Sequence, residues 1–114
     1  MTTPRYAYLG PEGTFTEAAL RAMVSPDEAE YLPQVDVLTA LGAVRSGAAD
    51  YAVVAIENTV EGGVTATLDA LAEGAPLVIL GETVIPIEFE LVARPGTTKA
   101  DIALIATHTH GWAQ

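Results

Sequence analysis

Apolar positions along the chain alternate between short solid runs and stretches that recur at helical spacing. Tyr6-Ala7-Tyr8-Leu9 is an apolar and aromatic run closed by Gly10-Pro11, which predicts a buried strand stopped by a turn. Thr14 and Glu17 stand at the spacing of a capping box, in which hydroxyl and carboxylate each satisfy a free backbone amide. The helix they open is expected to turn Phe15, Ala18, Ala19, Ala22 and Met23 inward and to stop at Ser25-Pro26. Glu30-Tyr31-Leu32 is a weaker strand. Asp36 is placed to cap a second helix with Val37, Ala40, Leu41 and Val44 inside, and Gly47 sits at its left-handed stop. Tyr51 to Ile56 is almost wholly apolar, the pattern of a parallel strand covered on both faces. A loop from Glu57 to Gly63 leads to a third helix, capped by Thr65 and ending near Gly74.

Leu77 to Leu80 and Val84 to Ala93 predict two more strands, broken at Gly81. In the second, Ile85, Ile87, Phe89 and Leu91 alternate with Pro86, Glu88 and Glu90, which suits a strand wet on one face. Pro95-Gly96 makes a turn, and Asp101 to Thr107 closes on a further apolar run. Strands alternating with helices give an α/β fold with a mainly parallel sheet flanked by helices.

Composition narrows the partners. The formal charge is −10, from 15 acidic against 5 basic residues. Nucleic acid and anionic membranes are recognised by clustered Lys and Arg, so both are disfavoured. No apolar run approaches the ~20 residues of a membrane helix, and the Met1-Thr2-Thr3-Pro4-Arg5 start has no signal core behind it. The chain contains 0 cysteines, which removes disulfides and thiolate chemistry. A cytoplasmic protein is expected.

Ligands of open α/β sheets gather beyond the carboxyl ends of the strands. Two loops have that address, Gly10-Pro11-Glu12-Gly13-Thr14 and Glu57-Asn58-Thr59. The first combines glycines with a helix start, where free N–H groups favour anions, although Thr14 with Glu17 is more often only a helix cap. The second offers an amide and a hydroxyl, although Asn58 after a buried strand is usually a turn residue. None of the basic residues lies in either loop. His108 and His110 could clamp a metal if they shared a strand face, but no third ligand has a recognisable spacing, so no metal is expected. Trp112 is expected to pack.

Three segments carry a family resemblance. Tyr8-Leu9-Gly10-Pro11-Glu12-Gly13-Thr14-Phe15-Thr16-Glu17-Ala18-Ala19 resembles the opening motif of the prephenate dehydratases. Ile56-Glu57-Asn58-Thr59 to Gly63-Val64, followed by Thr67-Leu68-Asp69, resembles their second motif, usually written with Ser where Thr59 stands. Thr107-His108-Thr109-His110-Gly111-Trp112-Ala113-Gln114 looks like a degraded Ser-His-Pro-Gln segment, with His108 and Gln114 kept.

The resemblance implies one lobe of a periplasmic-binding-protein-like fold of type II, with the active site in a cleft between two lobes. The implied reaction is the carbon–oxygen lyase step of phenylalanine biosynthesis, from prephenate to phenylpyruvate, CO2 and water, with no cofactor and no metal. By motif, Gly13, Thr14, Phe15, Asn58, Thr59, Glu61, Gly63 and His108 are the substrate-binding candidates for prephenate or a similar small carboxylate. The family's catalytic threonine belongs to a Thr-Arg-Phe motif not present in residues 1–114. The expectation is therefore a first lobe over 1–114, with second lobe and regulatory domain absent, inactive alone. Two alternatives stand beside it: a non-catalytic small-anion binding lobe, and part of a prephenate decarboxylase. A missing returning strand would leave ladder groups open, so self-association is expected, as a dimer that could exchange its segment after Ala93.

Overall fold

The computed structural model describes residues 2–60 and 62–113. A three-stranded parallel sheet has β1 (Arg5–Leu9) at its centre, flanked by β2 (Glu30–Gln34) and β3 (Tyr51–Val53). The register aligns Tyr6 with Tyr31 on one side and with Tyr51 on the other. α1 (Phe15–Met23) and α2 (Val37–Ser46) are the crossovers that parallel pairing requires.

Successive side chains of β1 point to opposite faces. Ala7 packs with Ala40, Ala43 and Ala49, so α2 covers that face. Tyr8 lies on the other face, edge-on to Tyr31, whose hydroxyl donates to Val24 O at the end of α1 (2.5 Å). Small alanines let α2 approach closely, while tyrosines fill the wider gap beneath α1.

The second helix follows expectation. Asp36 accepts from Thr39 N at 2.7 Å, Gly47 closes the helix at φ +79°, and Val37, Ala40 and Leu41 are buried, with Val44 packed beside them. In α1 the buried face instead carries Glu17 and Leu20, while Phe15, Ala18, Ala22 and Met23 are exposed. Rotation of this helix is fixed by polar ties, described below, that apolar periodicity does not report.

β3 is shorter than the Tyr51–Ile56 run and is not covered on both faces. It is an edge strand, with Tyr51 exposed and stacked on Tyr6 at 4.7 Å. Beyond it, β4 (Glu57–Asn58) and β5 (Gly62–Gly63) form a small antiparallel hairpin where a loop was expected. α3 (Thr65–Ala72) is capped at Val64 without a side-chain bond. Thr65 is not the cap, because Val64 is held by its amide on Ile56 O (2.8 Å) and itself receives Leu68 N. The end of α3 is held by Arg45 of α2, whose guanidinium donates to Ala70 O, Glu73 O and Ala75 O at 2.7–2.9 Å.

The packed core is made of residues between Ala7 and Ala70, with Leu77 at its rim. The segments 77–80 and 84–93 are not strands: among the described residues no ladder partner lies beside them, and their backbone takes no regular structure. Only a 3-10 turn (Lys99–Asp101) and the short helix α4 (Thr109–Ala113) follow. Val78, Leu80, Val84, Val92, Leu104 and Trp112 are 76–93% exposed, so Trp112 does not pack as expected. The radius of gyration is 16.9 Å, against about 13 Å for a compact chain of this length.

Candidate functional site

The first loop is shaped from both ends. Gly10 N donates to Gln34 O at 2.8 Å, and a Cβ at Gly10 would stand 2.7 Å from Pro33 Cβ, so only glycine fits where β1 leaves the sheet. Gly13 has φ +88°, a conformation that favours glycine. Thr14 donates its hydroxyl proton to Leu9 O (2.8 Å) and accepts from Glu17 N (3.2 Å). The hydroxyl thus ties strand end to helix start.

Glu17 is 5% exposed and fully engaged. Its Oε2 accepts from Gly13 N at 2.6 Å, and its Oε1 accepts from Arg21 Nε at 2.7 Å and pairs with the terminal nitrogen at 2.6 Å. The Gly13 bond, and then Arg21, hold its carboxyl below the usual glutamate range. Arg21 lies 5.4 Å over the Tyr31 ring, and burial pushes the Tyr8 and Tyr31 hydroxyls up. Glu12, Gly13, Thr14, Glu17, Ala18 and Arg21 line a shallow recess of about 290 Å³. Two carboxylates face one guanidinium there.

Arg21 lies outside the loop, so the loop motif does not point to it. The signal was present in the Glu17–Arg21 pair, spaced to meet on one helix face.

The second loop is equally tied. Asn58 Oδ1 accepts from Val60 N at 3.1 Å, an Asx-turn contact, while Asn58 pairs with Gly62 across the hairpin. A Cβ at Gly63 would sit 3.3 Å from Leu68 Cδ1. Thr67 is wholly buried and donates to Ala55 O at 2.6 Å, fastening the exit of β3 to α3. Glu61 lies outside the described residues. Thr59 is exposed at the hairpin turn.

Because β1 and β3 are adjacent and parallel, both loops leave beyond the same edge of the sheet. The recess includes Gly13 and Thr14 but not Asn58, Thr59, Gly63 or His108. Phe15, next to Thr14 in the chain but not part of the lining, meets Phe89 edge-on, with ring centres 5.6 Å apart. A Cβ at Gly111 would stand 3.3 Å from Phe89 Cδ1, so α4 and the neighbouring His108 approach the first loop through this aromatic pair. His108 Nδ1 accepts from His110 N at 3.1 Å at the start of α4, so the two histidines are not on a strand face. Among the described residues no group of three or more His, Cys, Asp or Glu could hold a metal, and no helix is long and apolar enough to cross a membrane.

A family model described as prephenate dehydratase matches residues 6–114. A prephenate dehydratase of Mycobacterium leprae is 50% identical over 114 residues, covering 93% of this chain and 35% of the relative. One from Mycobacterium tuberculosis is 47% identical, covering 90% and 34%. The crystal structure of the Arthrobacter aurescens prephenate dehydratase in complex with L-Phe superposes with a TM-score of 0.84 at 56% identity, covering 96% of this chain and 36% of that one. The Streptococcus mutans prephenate dehydratase gives 0.57 at 36% identity, over 64% and 37%. The chain spans about a third of the length of these relatives.

Proposed function

Since the chain belongs to the prephenate dehydratase family, we propose that it supplies one wall of the cleft in which prephenate loses CO2 and water to give phenylpyruvate. The observation that carries this reading is the shared sheet edge, which places the Gly10–Thr14 and Glu57–Gly63 loops on one side of a parallel sheet. Gly13, Thr14, Phe15, Asn58, Thr59, Glu61, Gly63 and His108 contribute to that wall. Its lobe is of the periplasmic-binding-like type II class, in the cytoplasm, with no cofactor. Within the proposed first lobe of 1–114, the packed body ends near Leu77, and 78–113 forms the span that leads toward the opposing wall.

This wall offers shape and neutral groups more than charge. Thr14 and Gly13 have spent their protons internally, and the recess is flanked by two carboxylates. Cations for a substrate dianion therefore belong to the opposing wall, along with the group that drives elimination, and the chain alone binds weakly without turnover. The exposed apolar residues between Val78 and Trp112 support self-association of the isolated chain.

Titration of the chain with prephenate, followed by amide NMR and by the absorbance of phenylpyruvate, tests this reading. Shifts at both loops without product are expected. Prephenate shifts confined to residues elsewhere would overturn it, as would rapid turnover by the chain unaided.

A further inference from the structure

The Gly10–Thr14 loop carries two glycines and no side chain of its own that anchors Gly13, so its shape depends on a tie from outside. That tie is Glu17. A capping box would return this carboxylate to the amide of the cap residue, Thr14. Glu17 instead reaches one residue further, to the amide of Gly13 at 2.6 Å, and so restrains the residue with φ +88° that lies outside the helix. A buried carboxylate is tolerated only with its oxygens satisfied. Here one oxygen is held by the loop and the other by two nitrogens of Arg21, one turn along the same helix.

We infer that Glu17 is the positioning residue of this loop, clamping Gly13 against the first turn of α1 with Arg21 as its counter-ion. The clamp leaves the Phe15 and Thr16 amides as the first-turn donors without an intrahelical acceptor, and it fixes where they stand relative to the Gly13 backbone. The groups that act on the carboxylate are Arg21 from α1, Tyr8 from β1 and Tyr31 from β2, and Glu12 of the loop lines the same recess beside Arg21. Arg21 is the one cation among them, so protonation of Glu17 takes away the charge that strengthens the Gly13 bond and leaves Arg21 without its ion-pair partner. The clamp is strongest at neutral pH and weakens in acid. Only the effect on ligand binding rests on the cleft reading above; the clamp itself does not.

Amide NMR of the 114-residue chain tests both parts. In the wild type the Gly13 resonance should move with a carboxyl that titrates below the usual glutamate range, and in Glu17→Gln this response should vanish. Gly13 hydrogen exchange should speed up roughly tenfold at neutral pH in Glu17→Ala, which has no side-chain acceptor, and less in Glu17→Gln, which keeps one, while the amides of Ala40 and Leu41 in α2 stay protected. Arg21→Ala should move the titration up toward the usual range, and Arg21→Lys should restore part of the shift. A Gly13 resonance indifferent to pH, or an exchange rate unchanged in Glu17→Ala, overturns the inference. With prephenate, Glu17→Gln should weaken the shifts at Phe15 and Thr16 several-fold. If prephenate moves no resonance while the pH response of Gly13 is present, the cleft reading fails and the clamp stands.

Discussion

Thr67 sits within a motif shared with the family, and its hydroxyl is tied up in structure rather than open to a ligand. The test is Thr67→Val, which keeps the branched shape and replaces the hydroxyl with a methyl. Thr67 is completely buried and its Oγ1 is 2.6 Å from Ala55 O, so no new volume is introduced and one hydrogen bond is removed. Leaving a buried carbonyl without a partner costs about 1–3 kcal/mol. Ala55 itself is exposed, so water can reach part of its carbonyl, which places the expected loss at the lower end, about 1–2 kcal/mol. For a packed body of this size that lowers the thermal midpoint by roughly 5–10 °C. Thr67→Ser keeps the bond and loses one buried methyl, a cost of about 1 kcal/mol, so stability alone separates the variants poorly. The Ala55 carbonyl carbon shift separates them: it should move in Thr67→Val and stay in Thr67→Ser. A Thr67→Val chain as stable as the wild type, with the Ala55 shift unchanged, would refute the assignment and return Thr67 to the candidates for ligand contact.

Other substitutions probe the remaining ties. Gly13→Ala forces an L side chain to φ +88°, which should cost about 1–2 kcal/mol in a urea melt; no change would show that the loop relaxes freely. Arg45→Ala removes the donors to three carbonyls at the end of α3 and should speed amide exchange in residues 70–73, with Arg45→Lys an incomplete rescue because an ammonium cannot fork among three acceptors. Asp50, lowered by its bonds to Arg5, Asp36, lowered by Thr39, and Glu17, lowered by Gly13 and Arg21, all have folded values below the ordinary carboxyl range. Each therefore adds stability that is complete above that range and is lost as pH falls through the lowered value. Urea midpoints should fall in acid, and Asp50→Asn should flatten part of that fall; midpoints that rise on acidification would contradict the sign. Leu104→Glu with Trp112→Glu should shift the chain toward monomer in light scattering, and a wild type that is monomeric at high concentration would remove the self-association proposal.

The layout of the sheet was legible because strands and crossovers obey different periods, and both were present in residues 5–53. Asp36 and Gly47 were legible because capping chemistry is local. The facing of α1 was not, since Glu17 looks like a surface residue until the Gly13 amide and Arg21 are seen to satisfy it. Ala18 and Ala22 fit either face and carried no vote. The segments 77–80 and 84–93 have the composition of strands, and that composition is real, but a ladder needs a second backbone beside it. Strand propensity is a statement about fitting a pleated, half-buried surface, and although Leu77 and Phe89 find apolar neighbours, no paired backbone adjoins these segments among the described residues. For the candidate site, motif order found both loops, while the spent protons of Gly13 and Thr14 emerged only from the hydrogen bonds.

The hydrogen bonds also bear on what kind of wall the proposed cleft would have here. A site that recognises a dianion by itself presents unpaired donors or cations at the ligand, and loops at helix starts usually supply them. In this chain the Thr14 proton goes to Leu9 O, the Gly13 proton goes to Glu17, and Arg21 is turned to the same carboxylate. Every one of these bonds stiffens the loop and removes a donor from solution. What stays open at this helix start is the pair of Phe15 and Thr16 amides, without a free cation beside them among the described residues, so the arrangement favours a rigid, weakly attracting surface over a free-standing receptor and argues against an independent small-anion binding lobe. Binding strength then has to come from a second surface closing over the first. Adding the remaining part of a relative's catalytic domain in trans should accordingly raise prephenate affinity by more than tenfold over either piece alone, about the 1.4 kcal/mol of one decade. Equal affinity with and without that second piece would show that the wall described here binds by itself.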